Sequence, residues 1–242
     1  MRSLLAFLAM TLACASAAAV EIRSYETRID LDGAGAARAR ASLVLAGAAA
    51  GRIRVPLGFA RIDEFRPGDA PAGVTMASRN SADSAWVEVE LPEGVPAELT
   101  LGFSFASNGV LFVPKPEPGQ KATLPEGSRL LRHRFVNTQE APIGRYAATV
   151  LFPEGVIAHN IREQLPRVGR KEFVPRVELE RHEGRQGALL QMTNLRQGDR
   201  TSMELEIVAE RRSLVWLLML LPLAAGYLYA FRDLVKKEPQ PA

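Results

Sequence analysis

A catalytic or metal centre needs donors that converge in space. The chain has three histidines, His133, His159 and His182, and no His-x-His or His-x-x-x-His spacing to set two of them on one face of an element. His133 sits in Leu131-Arg132-His133-Arg134-Phe135, where the flanking guanidinium groups oppose a bound cation. His182, between Glu180 and Glu183 beside Gly184, reads as a solvated turn residue. Cys14 is the sole cysteine, so beyond it there is no thiol for a disulfide, a zinc–thiolate site or nucleophilic attack. A serine nucleophile needs a base in reach and a sharp turn to present it, and no Gly-x-Ser-x-Gly elbow occurs. No Gly-rich loop ending in Lys-Ser or Lys-Thr is present to cradle a phosphate. These residues predict no catalytic residue, no metal and no cofactor, and the chain reads as a non-enzyme.

Two patterns remain that chemistry could use. Glu88 and Glu90 are two residues apart, which on a strand places both carboxylates on one face about 7 Å apart. That separation lies in the range of glycosidase acid pairs, although alternating Glu on a half-exposed strand ordinarily forms a solvated face. The second pattern is the stretch from His159 to Arg185. Its cations Arg162, Arg167, Arg170 and Lys171 are interleaved with Glu163 and Glu172, and its first half lacks alternation. It reads as a long irregular loop, the usual binding platform of a sandwich, and these four cations are the candidate binding residues.

The elements that would position them read as strands. Tyr25, Thr27, Ile29 and Leu31 alternate with charged neighbours, Asp32-Gly33 turns the chain, and Ala37, Ala39, Ala41, Leu43 and Leu45 alternate with Arg38, Arg40 and Ser42. This predicts an antiparallel hairpin with one wet face. Ala85, Val87, Val89 and Leu91, then Leu99, Leu101, Phe103 and Phe105, repeat the pattern. Further strands are predicted at 52–57, 62–65, 74–77, 110–113, 130–137, 144–152, 173–180, 188–193 and 202–209. Leu91-Pro92-Glu93-Gly94, Leu124-Pro125-Glu126-Gly127 and Phe152-Pro153-Glu154-Gly155 share one turn-forming pattern, in which Pro presets a dihedral and Gly accepts positive φ.

The fold class expected is all-β: one or two immunoglobulin-like antiparallel β-sandwich domains followed by a single C-terminal transmembrane helix. The likeness to immunoglobulin-like exported modules covers the short-strand rhythm only, since their Cys-Trp-Cys hallmark is absent. The expected divisions are a signal peptide at 1–19, a sandwich at 20–113, a Pro-rich linker at 114–120, a second sandwich at 121–210, the transmembrane helix at 213–231 and a cytoplasmic tail at 232–242. Arg2, an apolar centre and small residues before Ala19 carry the signal reading. A lipoprotein-like box at Thr11–Cys14 leaves lipidation of Cys14 open.

The uncharged run from Ser213 to Phe231 carries the membrane reading. Trp216, Tyr227 and Tyr229 are the expected interface anchors, and Gly226 with Ala230 offers a small-xxx-small face for helix packing.

Of the 30 Lys and Arg and 27 Asp and Glu, Arg2, Arg232, Asp233, Lys236, Lys237 and Glu238 fall outside 20–212, which leaves the body near neutral. That balance gives no reason to expect nucleic acid. The sequence therefore predicts a single-pass bacterial inner-membrane protein with its body in the periplasm or outside the cell. The expected partners are the lipid bilayer and an envelope or membrane protein, which it would bind or scaffold. An accessory subunit of a larger membrane complex and an envelope carbohydrate-active hydrolase are the alternatives.

Overall fold

The computed structural model describes residues 20–113, 127–164, 176–182, 184–210 and 214–235. The signal segment 1–19 and the Pro-rich stretch 114–120 lie outside them. In chain order the strands begin with β1 (Glu21–Leu31), β2 (Ala37–Ala46), β3 (Gly51–Pro56), β4 (Phe65–Pro67) and β5 (Thr75–Asn80). There follow β6 (Ala85–Leu91), β7 (Glu98–Ser107), β8 (Leu111–Phe112), β9 (Arg129–Val136) and β10 (Ile143–Leu151). The series ends with β11 (Val156–Gln164), β12 (Arg176–His182), β13 (Arg185–Leu195) and β14 (Arg200–Ala209). A helix, α1, spans Leu214–Val235.

A seven-stranded sheet has the order β12-β13-β10-β1-β2-β7-β4. The β1–β2 hairpin forms in the expected register, with Ile29 opposite Ala39 and Tyr25 opposite Leu43. The other edge of β1 corrects the expectation of purely antiparallel sandwiches: β1 pairs with β10 in parallel, Tyr25 against Tyr146 and Ile29 against Val150, so the sheet is mixed. The sequence could not show this. Parallel and antiparallel partners both require the two-residue alternation that β10 has, and only the route of the chain between strands sets their direction. The sheet draws strands from both sides of residues 114–120. Two smaller sheets, β11-β14-β9-β8 and β3-β6-β5, complete the strand structure.

One core joins the three sheets. Tyr25, Ile29, Leu43, Leu101, Tyr146 and Val150 of the large sheet are buried in the same cluster as Leu131 and Phe135 of the four-stranded sheet and Val55, Val87 and Val89 of the three-stranded sheet. The Tyr25 ring lies 5.7 Å from Phe135 and 5.6 Å from Tyr146. Each side chain of this size that leaves water stabilises the fold by about 1.5–3 kcal/mol. The strongly alternating β6 and β7, adjacent in sequence, go to different sheets, so each offers its apolar face to the common core.

The chain divides into two compact units, Met1–Ala209 and Glu210–Ala242. Among the described residues no helix is long and apolar enough to cross a membrane. This overturns the transmembrane helix expected at 213–231 and the single-pass inner-membrane topology drawn from it.

Candidate binding face

Alternation along β1, β2, β7 and β10 turns one side of the large sheet to the core and leaves the other to solvent. Register then assembles charges that are far apart in sequence. Thr149, Arg28, Arg40, Ser104 and Arg66 form one row across β10, β1, β2, β7 and β4. Arg38, two residues from Arg40 on the same face of β2, stands opposite Asp30. Strand spacing puts row neighbours about 5 Å apart and Arg38 about 7 Å from Arg40 along the strand.

Two grooves on this face share Arg40. One, of about 600 Å³, is bounded by Asp30, Arg38, Arg40, Glu64, Arg66 and Arg185. The other, of about 460 Å³, is bounded by Glu26, Arg28, Arg40, Arg145, Thr149 and Gln191. Arg185 reaches Asp30 at 3.2 Å, Arg28 lies 3.8 Å from Asp30, Arg145 lies 3.6 Å from Glu26, and Arg66 lies 3.6 Å from Glu64. Arg38 and Arg40 have no ion-pair or hydrogen-bond partner among the described residues. Arg28 and Arg40 stand directly opposite each other. Like charges in that arrangement oppose pairing by a few tenths of a kcal/mol to about 1 kcal/mol, and an anion laid between them reverses the sign. The face as built is a cationic surface with two uncompensated guanidinium groups at its centre.

The sequence-derived candidates fare unevenly. Arg162 lies on β11, so the start of the expected irregular loop is a strand, and its far end is the strand β12. Arg167, Arg170 and Lys171 lie outside the described residues. Trp216 lies in the first turn of α1, and its side chain also lies outside the described set. Tyr227 and Tyr229 are exposed on α1, the first 4.4 Å from Phe231 by ring centroid and the second under the Arg232 guanidinium at 4.9 Å. A Cβ at Gly226 would meet nothing within 4 Å, and Ala230 is exposed, so the small-residue face they form has no packed neighbour among the described residues.

Glu88 and Glu90 do not form an acid pair. Arg54 and Arg79 flank Glu88 at 3.6 and 3.2 Å, and Arg52 holds Glu90. The Arg79 hydrogen bond keeps the Glu88 carboxyl below its usual range despite partial desolvation, the reverse of what a general acid needs.

His133 is buried on the inward face of β9, and its Nε2 shares a 2.7 Å hydrogen bond with the Tyr146 hydroxyl. Burial lowers its pKa to about 4 and pushes the phenols of Tyr25 and Tyr146 up. The pair is therefore a neutral tie between two sheets. No group of three or more His, Cys, Asp or Glu among the described residues is placed to hold a metal ion. Sequence reasoning marked the arginines of β2 only as the wet side of a hairpin. Their convergence with Arg28 and Arg66 depends on the register of five strands, which the outward alternation hints at and does not determine.

No family model matches the chain, and no curated protein matches it. Solved structures that resemble it include native leukotriene A4 hydrolase from Saccharomyces cerevisiae, at 7% identity, TM-score 0.40, over 77% of this chain and 29% of that one. A putative protease from Parabacteroides distasonis matches at 14% identity and TM-score 0.39, over 77% of this chain and 40% of that one. An M1 zinc metallopeptidase from Deinococcus radiodurans matches at 13% identity and TM-score 0.35, over 78% and 42%. The chain spans less than half the length of each. At such identity and score the likeness leaves function to be argued from the residues.

Proposed function

We propose that this chain is a binding module and not a catalyst, and that it holds an anionic partner on the outer face of its seven-stranded sheet. The observation that carries the reading is the pair Arg38 and Arg40, exposed and uncompensated beside Arg28 and Arg66. An exposed arginine that forms no ion pair gains little for the fold, and its planar fork suits carboxylate or phosphate oxygens. The two grooves that share Arg40 widen the surface such a partner would cover. The near-neutral body makes this a local site and not a general polyanion surface.

The test is a double charge reversal, Arg38→Glu with Arg40→Glu, in the full chain. Both residues are exposed, so the fold should survive. Fluorescence anisotropy with labelled hexaglutamate should show binding to the wild type that weakens with salt, and a loss of about tenfold or more in the variant. Crosslinking in native extracts should give an adduct that the same variant loses. Equal affinity of wild type and variant for the acidic probe would remove the outer face as the working surface.

A further inference from the structure

A different part of the molecule carries an open strand edge. In an antiparallel pair, alternate residues of a strand bond to one neighbour and the intervening ones face the other side. On β9 the Asn137 N–H donates to Asp199 at the end of β14, whereas the Arg132 N–H donates to Val110 beside β8, so the odd-numbered residues serve β14 and the even-numbered ones face β8. But β8 is only two residues long and pairs only with Leu130 and Leu131. The chain before it turns away at Gly109, where φ is +83°. The N–H of Arg134 and the N–H and C=O of Val136 therefore point out of the sheet with no backbone partner among the described residues, while the Arg134 carbonyl is covered by Gly58.

They open into a cleft of about 390 Å³ whose apolar wall includes Phe59, Val110 and Phe112. Gly58 closes its inner end against the Arg134 carbonyl, where a Cβ would stand 3.0 Å from the oxygen. Of the large hydrophobic side chains exposed on the described part of the β body, Phe112 (43%) and Val136 (36%) line this cleft. An open edge beside exposed apolar side chains is what a protein ordinarily covers.

We infer that the β9 edge at Arg134–Val136 is a peptide-binding site that takes an extended segment of a partner protein as an added strand. Side-chain alternation specifies the guest. Residues turned inward meet Phe59 and Val110 and must be apolar. Those turned outward stand beside Arg134, which is exposed and has no ion-pair partner among the described residues, and are acidic. The guest is a strand of alternating apolar and acidic residues, held by main-chain hydrogen bonds and selected by its side chains. This site lies apart from the arginine row of the large sheet and does not depend on it. A chain that engages a partner at each would act as a scaffold.

The full-length protein tests this with a fluorescein-labelled nine-residue peptide of alternating valine and glutamate, and with the same peptide N-methylated on alternate backbone nitrogens. Binding of the first, with a loss of about tenfold or more for the second, is expected, since methylation removes the donors and leaves the side chains. Val136→Pro deletes one open N–H that does not serve β14, a position where a strand tolerates proline. It should weaken the first peptide by a similar factor with an unchanged circular dichroism spectrum. Should that variant fail to fold, Arg134→Glu remains. It should weaken the valine–glutamate peptide and favour its valine–lysine counterpart. No binding at millimolar peptide, equal binding of the methylated peptide, or indifference to the folded Val136→Pro variant or to charge reversal at Arg134 would each overturn the assignment. Retention of peptide binding by the Arg38→Glu, Arg40→Glu double variant separates this site from the outer face.

Discussion

His133 shows how one buried side chain turns pH into stability. Its ring is 1% exposed, bonded through Nε2 to Tyr146 and packed against Phe59 at 5.6 Å, with no carboxylate bonded to it. In the unfolded chain it takes a proton near pH 6.5, whereas the folded protein resists until about pH 4. Between those values the unfolded state holds the extra proton, so stability falls as pH falls through this window. The penalty is absent above about pH 6.5, grows as the pH drops and levels off below about pH 4, at about 3 kcal/mol. Replacing His133 with Gln keeps a polar partner for Tyr146 and removes the titration. Urea unfolding at pH 7.0, 5.5 and 4.5 should show wild type and His133→Gln converging in stability as the pH falls. A constant difference across the three values would mean that the ring does not stay neutral on folding.

At the scale of elements, Arg185 ties together strand ends that the chain brings from distant places. Its Nε donates to the Phe152 carbonyl at 2.7 Å, and its terminal nitrogens reach Asp30 at 3.2 Å and the carbonyls of Leu31 and Leu151 at 3.4 Å. This pins the end of β1 to the end of β10 at the start of β13, where the parallel pair would otherwise splay. Arg185→Leu should cost about 2 kcal/mol, since it strips a charged donor from several half-buried acceptors. Thermal unfolding should show it as a clear drop in Tm, and an unchanged Tm would make the network ornamental. The strands themselves were largely legible. The glycines of the three Pro-Glu-Gly patterns take the positive φ their chemistry allows, Gly94, Gly127 and Gly155 at +78°, +79° and +71°. The strand β11 was not legible. Register shifts between Ala158 and Asn160 and between Ile161 and Glu163 break the two-residue period by which a strand is read, so its residues from His159 onward looked irregular. The candidate site was legible only as outward arginines on β2, because a row across five strands exists only once their register is set. The C-terminal run misled for a related reason. An uncharged stretch of sequence counts residues, whereas crossing a bilayer demands a helix long and apolar enough, which the described residues do not supply.

The parallel pairing of β1 with β10 governs how the whole β body holds together. Within the large sheet, β1, β2, β7 and β4 come from before residue 114 and β10, β13 and β12 from after residue 126, and the two groups meet along the register from Ile22–Ile143 to Asp30–Leu151. Separating them would expose the edges of two long strands. It would also uncover Tyr25, which packs against the stacked rings of Phe135 and Tyr146. Phe59 would likewise lose its packing on His133, which lies across the same divide. Neither half keeps a closed core. Each would present fully apolar strand faces to water, at a cost of about 25 cal/mol for every Å² uncovered. Residues 20–113 and 127–210, expressed as separate fragments, should each give poorly dispersed amide spectra by nuclear magnetic resonance. Mixing them should restore the dispersion of the intact protein, because the interface that completes the sheet is made of main-chain bonds and core side chains that remain intact in the two pieces. A fragment of residues 20–113 that folds by itself, with sharp dispersed signals and cooperative unfolding, would mean that the N-terminal strands already close a core without β10, and would return the chain to two separate sandwiches.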